Sequence, residues 1–130
     1  AGFTTGNDAH PLTSSGFYIS TGSFSTTTLS ANTAVDVCFV KLTPALANDG
    51  SRSLRAGATA VSLALSSSNT SAGTITNSPR TIAAGQSCTS TGGDFSFHPV
   101  GVGASTLSLT TPAGYSTPTN LNQAITATVN

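Results

Sequence analysis

The chain has almost no charge. Its 130 residues include four Asp, no Glu, one Lys (Lys41) and three Arg (Arg52, Arg55, Arg80), so charged residues make up 6% of it, against roughly a quarter in ordinary soluble domains. Four scattered cations give no electrostatic footprint for nucleic acid, because neutralising phosphates takes clustered Lys and Arg. No polybasic run marks a segment for anionic membranes. Long apolar runs are missing too. Val37-Cys38-Phe39-Val40 is far shorter than the roughly 20 residues a spanning helix needs, and no signal peptide is visible. Membrane insertion is therefore not expected. Cysteine is scarce: Cys38 and Cys88 stand 50 positions apart, with no CxxC and no Cys/His cluster, so neither zinc nor another cofactor is expected. The two are read as a disulfide, the alternative being a pair of free buried thiols. Closing so long a loop would stabilise the fold by about 4 kcal/mol in the chain-entropy picture and would point to an oxidising, extracellular compartment.

What is present is strand patterning. The apolar share is 37%, and Thr is plentiful; its β-branched side chain suits a pleated surface. Val61, Leu63 and Leu65 alternate with Ser62, Ala64 and Ser66. The same period of two runs through Phe95 and Phe97, Leu107 and Leu109, and Ile125, Ala127 and Val129. Ala34 to Leu42 is apolar on both faces and reads as a central strand covered on both sides. A helix over 23–43 is disfavoured by its β-branched residues and by the lack of an i, i+3, i+4 stripe. Turn signals fall at Asn48-Asp49-Gly50, Asn77-Ser78-Pro79, Ala84-Gly85, Gly92-Gly93, Pro99 to Gly103 and Pro112-Ala113-Gly114. The expected fold is an all-β sandwich of about seven to nine strands. Their centres are expected near Tyr18, Thr27, Phe39, Leu63, Thr74, Ile82, Phe97, Leu107 and Thr126. Residues 1–16 lack this pattern and are expected to form an extended arm or linker, with the sandwich over 17–130.

The second half carries a rhythm of its own: VSLALSSSN from Val61 to Asn69, Gly73 to Ile75, TIAAGQ from Thr81 to Gln86, Phe95-Ser96-Phe97, Gly101-Val102-Gly103, STLSLTTPAGY from Ser105 to Tyr115, and Ile125 to Val129. Over roughly 34–130 it resembles the immunoglobulin-like (Big-type) domains of bacterial surface proteins and adhesins. The resemblance implies an immunoglobulin-like β-sandwich at the cell surface, working in tandem arrays, stalks, adhesion or filaments. It implies no active site. The chain has no Trp, so the Trp that packs on the inter-sheet disulfide of vertebrate immunoglobulin domains is missing. Cys38 and Cys88 therefore need not occupy the usual facing strands.

The chemistry-bearing residues are few. His98 reads as a surface residue beside a turn, and His10, near Asp8, would need further ligands to hold a metal. Asp36 is expected to be half-buried near Lys41 or an Arg. Asn48-Asp49 is a thin candidate for calcium, having one carboxylate where a site needs several. Asn69-Thr70-Ser71 matches a glycosylation sequon. No GxSxG elbow is present, and catalysis is not expected. The reading is thus a structural or adhesive extracellular module, engaging neighbouring copies or tandem domains of the same surface protein through domain contacts or strand exchange, with Gln123 to Val129 or Phe17 to Thr21 as donors. The alternative is a glycan- or receptor-binding module. Its candidate binding loops carry Asn48, Asp49 and Tyr115, and Tyr115 is the best single platform for a sugar.

Overall fold

The computed structural model describes residues 14–91 and 93–130. Among them lie eleven strands and one short 3₁₀ turn, Thr89–Thr91. The strands are β1 (Ser15–Ile19), β2 (Phe24–Thr26), β3 (Thr33–Val35), β4 (Val37–Leu42), β5 (Asn48–Ser51), β6 (Val61–Ser67), β7 (Gly73–Thr76), β8 (Arg80–Ile82), β9 (Phe95–Pro99), β10 (Gly103–Thr110) and β11 (Ala124–Val129). The all-β expectation holds. β1 begins at Ser15, just ahead of the expected boundary at 17; the rest of the arm, with Asp8 and His10, falls outside the described residues.

The sheets run β1-β4-β5, β3-β9-β7 and β2-β11-β10-β6-β8. Every pairing is antiparallel except β2, which lies parallel to β11. The period of two is realised directly: along β6 and β10 the apolar residues are buried and their neighbours exposed or half-buried. Register aligns these faces, with Leu65 opposite Leu109 and Leu107 opposite Ile125, so that apolar side chains stack on one side of the sheet. One apolar cluster then joins all three sheets. Phe17, Ile19, Val35, Val37, Phe95 and Phe97 meet Leu63, Leu65, Ile82, Leu107, Ile125 and Val129 in it. Phe97 closes over Gly73, where an added Cβ would fall onto the ring; only glycine allows β7 so near the core.

The strand count exceeds the expected seven to nine, for three physical reasons. The run 33–42 is one strand in the sequence pattern, but it breaks at Asp36 and hands over from β9 to β1. The run from Gly73 to Ile82 likewise divides at the cis Ser78–Pro79 bond: β7 pairs with β9 and β8 with β6. Asn48-Asp49-Gly50, expected as a turn, is an edge strand instead. It pairs with β4 through a bulge between Val40 and Leu42, with Gly50 at φ 109°. The bulge absorbs the residue types that otherwise make turns.

Candidate functional site

Two polar regions grow from the run 33–42, on opposite faces of it. In strands, alternate residues face opposite ways. Val35 and Val37 point into the core, and Phe39 packs partly against it. Lys41, two residues further, stands where that face reaches the end of the core.

The first region is a cleft at this end. Its volume is about 420 Å³, and Phe39, Lys41, Arg52, Leu54, Arg55 and Tyr115 are among its lining residues. The core supplies its floor: the Phe17 ring lies 5.3 Å from Phe39 and 4.9 Å from Tyr115. Tyr115 closes the turn after β10, its N–H donating to the Pro112 carbonyl at 3.2 Å. The two arginines come from the connection between β5 and β6. Buried Leu54 pins that connection: its N–H donates to the Gln86 carbonyl, and its own carbonyl accepts from Gly85 N–H. Arg52 and Arg55 are thereby held on the exposed side. Arg52 also bonds the Ser51 carbonyl at 2.8 Å.

Three of the chain's four cations therefore meet at one cleft. Asp49 offsets one of them, at 3.2 Å from Lys41 Nζ. Asp49 is thus engaged by a lysine, and the Asn48 side chain accepts from Gly50 N–H; this loop gathers no second carboxylate around a cation. A second hollow, of about 300 Å³, is lined by Thr59, Ser62, Pro112 and again Tyr115. The Tyr115 ring thus borders both.

The second region is a polar seam on the other face. Cys38 and Cys88 are bonded, with S–S 2.07 Å and Cα–Cα 4.0 Å, and they form an isolated antiparallel bridge. The ladder that pairs β3 with β9 is interrupted beyond this bridge by the 3₁₀ turn. Asp36 fills the interruption. Its Oδ2 accepts from Ser20 Oγ at 2.7 Å, and its Oδ1 accepts from Ser90 N–H at 3.2 Å. Its own N–H donates to Thr21 Oγ1 at 2.9 Å. Asp36 was expected beside Lys41 or an arginine. Its partners are instead hydroxyls and an amide, because Lys41 lies on the opposite face and at the far end of the strand.

Thr89 lies at the centre of the seam, fully buried. Its hydroxyl accepts from Val37 N–H at 3.1 Å and lies 3.1 Å from Asp36 Oδ1 and 2.8 Å from Asp94 Oδ1. One hydroxyl has one proton to give, so the two carboxylates compete for it. Burial, followed by the neighbouring Asp36, pushes the Asp94 carboxyl above its ordinary value of 3.8, while the Thr89 hydroxyl and Arg80 pull the other way. Arg80 donates from Nε to the Gly93 carbonyl at 2.9 Å. One carboxylate of Asp36 and the two sulfurs of the disulfide gather within 4.8 Å. The sulfurs are bonded to each other and offer no thiolate, so this cluster is not a metal site.

The remaining sequence candidates fall elsewhere. His98 is exposed and shares a 2.9 Å hydrogen bond with Asn32. The sequon asparagine, Asn69, spends its side chain on the Ala104 carbonyl and Ser71 N–H. Sequence reasoning missed Arg52, Arg55 and Thr89 as site residues. No local signal could have found them, since long-range contacts bring them into place. No family model, curated protein or solved structure matches this chain.

Proposed function

We propose that the chain is an adhesive module of the extracellular surface, an immunoglobulin-like sandwich that binds its target through the cleft beside Tyr115. The strand neighbours support the fold reading. The order β1, β3/β4, β9, β7 corresponds to strands A, B, E and D of that fold. The order β8, β6, β10, β11 corresponds to C′, C, F and G, with β2 as the leading strand's second half alongside G. Two departures stand out. The C′-like strand follows the D-like one in sequence, and the disulfide joins neighbours within one layer, not the facing B and F strands. That disulfide supports the extracellular reading.

The observation that carries the functional reading is the gathering of Lys41, Arg52 and Arg55 around an aromatic-floored cleft, on a chain with almost no other cations. Ligand sites combine an apolar lining with a few convergent polar groups in this way. Exchange of a terminal strand is the less favoured route. β11 is bonded on both edges, to β10 and β2. β1 pairs with β4, and its other edge takes hydrogen bonds from Ser116 N–H and gives one to the Asn122 carbonyl. Neighbouring copies or tandem domains would then meet surface to surface.

Binding of the purified chain to an array of surface glycans tests the reading. Binding that an Arg55→Glu variant loses supports it. A blank array, together with ordered self-assembly of the chain, would return the balance to a purely structural stalk or filament.

A further inference from the structure

We infer that the cleft's ligand is an acidic oligosaccharide, seated with the carboxylate of one sugar unit against Arg52 and Arg55 and a neutral neighbouring unit across the Tyr115 ring. This rests on the reading of the cleft as the adhesive site. Three features carry it. The first is charge. Among the described residues the cations are Lys41, Arg52, Arg55 and Arg80, and the anions are Asp36, Asp49 and Asp94. The first three cations border the cleft and only Asp49 offsets them there. A chain neutral overall thus keeps a local positive excess at one hollow. Guanidinium groups present forked donors that match a carboxylate with two parallel bonds.

The second feature is shape and polarity. Phe39, Leu54 and the Tyr115 ring give an apolar wall suited to the C–H face of a sugar ring, and the tyrosine hydroxyl adds a polar tip. A volume of about 420 Å³ suits a ligand of one or two rings. The third is the second hollow. It shares Tyr115 with the first, and its lining carries no charge, with Thr59 and Ser62 as hydrogen-bonding groups. One charged and one uncharged hollow on either side of one ring match alternation of acidic and neutral units along a chain. Three cations are too few to track a nucleic-acid backbone.

The test is an NMR titration of the whole chain with a tetrasaccharide in which glucuronate alternates with an uncharged N-acetylhexosamine, alongside its carboxyl-reduced counterpart and inorganic sulfate. The acidic tetrasaccharide should shift amides of residues 52–58 and 112–115. It should bind about tenfold more tightly than the carboxyl-reduced form, and about tenfold more weakly to an Arg52→Gln/Arg55→Gln variant. Equal binding of the carboxyl-reduced form at the cleft would overturn the acidic ligand while leaving the adhesive cleft intact. Sulfate binding as tightly as the tetrasaccharide would overturn the sugar. Absence of cleft shifts with any of the three would sink both readings.

Discussion

Asp36 and Lys41 belong to one ten-residue run, yet they meet opposite fates. At one end of the run, Asp36 and Cys38 face a seam in which polar groups are answered from within the chain. Ser20, Thr21, Thr89 and Ser90 supply the partners, and the Cys38–Cys88 bond crosses beside them. At the other end, Phe39 and Lys41 face a cleft whose cations have one carboxylate among them. Buried polar groups stay where they are hydrogen-bonded. Charges held at the rim of an apolar hollow with few internal partners are placed to meet something external. The difference separates residues that hold the sandwich together from residues that can engage a target.

Removing the disulfide should give the largest effect. A Cys38→Ala/Cys88→Ala variant loses a closed loop of 50 residues, worth about 4 kcal/mol in the chain-entropy account. Urea denaturation should show this as a lower midpoint with the native state retained in dilute buffer. Cleft binding should survive in that folded state, because neither cysteine lines the cleft. Loss of binding at full folding would break the separation of the two regions.

Thr89→Val comes next. The swap keeps the shape and deletes the hydroxyl that Val37 N–H donates to and that both carboxylates approach. Stranding those buried groups should cost about 1–3 kcal/mol. Unfolding by denaturant measures it, and a cost near zero would mean that water replaces the hydroxyl and that the seam is not closed.

How much of this was readable beforehand follows the same division. The core was legible, because each strand's burial is written in its own alternation: Leu63, Phe97, Leu107 and Ile125 are buried where the period of two put them. The breaks were not. Asp36 interrupts a run that looks continuous, and its cause lies some fifty positions away in the turn at Thr89–Thr91. Asn48-Asp49-Gly50 has turn composition but becomes a bulged edge strand, since β4 offers it a free ladder. Tyr115 was legible as an aromatic beside a turn. Arg52 and Arg55 were not, because Leu54's bonds to Gly85 and Gln86 bring them to the cleft, and a single sequence holds no mark of that closure.

Asp94 sharpens the comparison through pH. Its carboxyl titrates above 3.8 in the folded chain because it is partly buried beside Asp36. A group whose folded value is raised adds stability that is complete below its unfolded value and is lost as pH rises through the folded one. Wild type should therefore lose this contribution on going from about pH 3 to neutrality, and Asp94→Asn, which cannot ionise, should not. The stability of the variant minus that of wild type should be larger at pH 7 than at pH 3. Denaturation curves at the two values check it, and a difference independent of pH would mean that Asp94 is as well solvated as a surface residue.

The smallest expected effect on stability is at the cleft, and its smallness is what matters. Arg52 and Arg55 are exposed; Arg52 makes one bond to a neighbouring carbonyl. Replacing both with Gln keeps length and polarity and removes two positive charges. Such changes away from caps, cores and buried pairs usually stay within about 0.5 kcal/mol. Release of like-charge crowding with Lys41 could even make the change slightly favourable. If the unfolding midpoint stays put while binding of an acidic ligand falls, the two arginines are held for the target. If the midpoint drops as far as it does for Thr89→Val, the arginines stabilise the connection between β5 and β6 instead, and the cleft becomes a second structural seam with an open mouth.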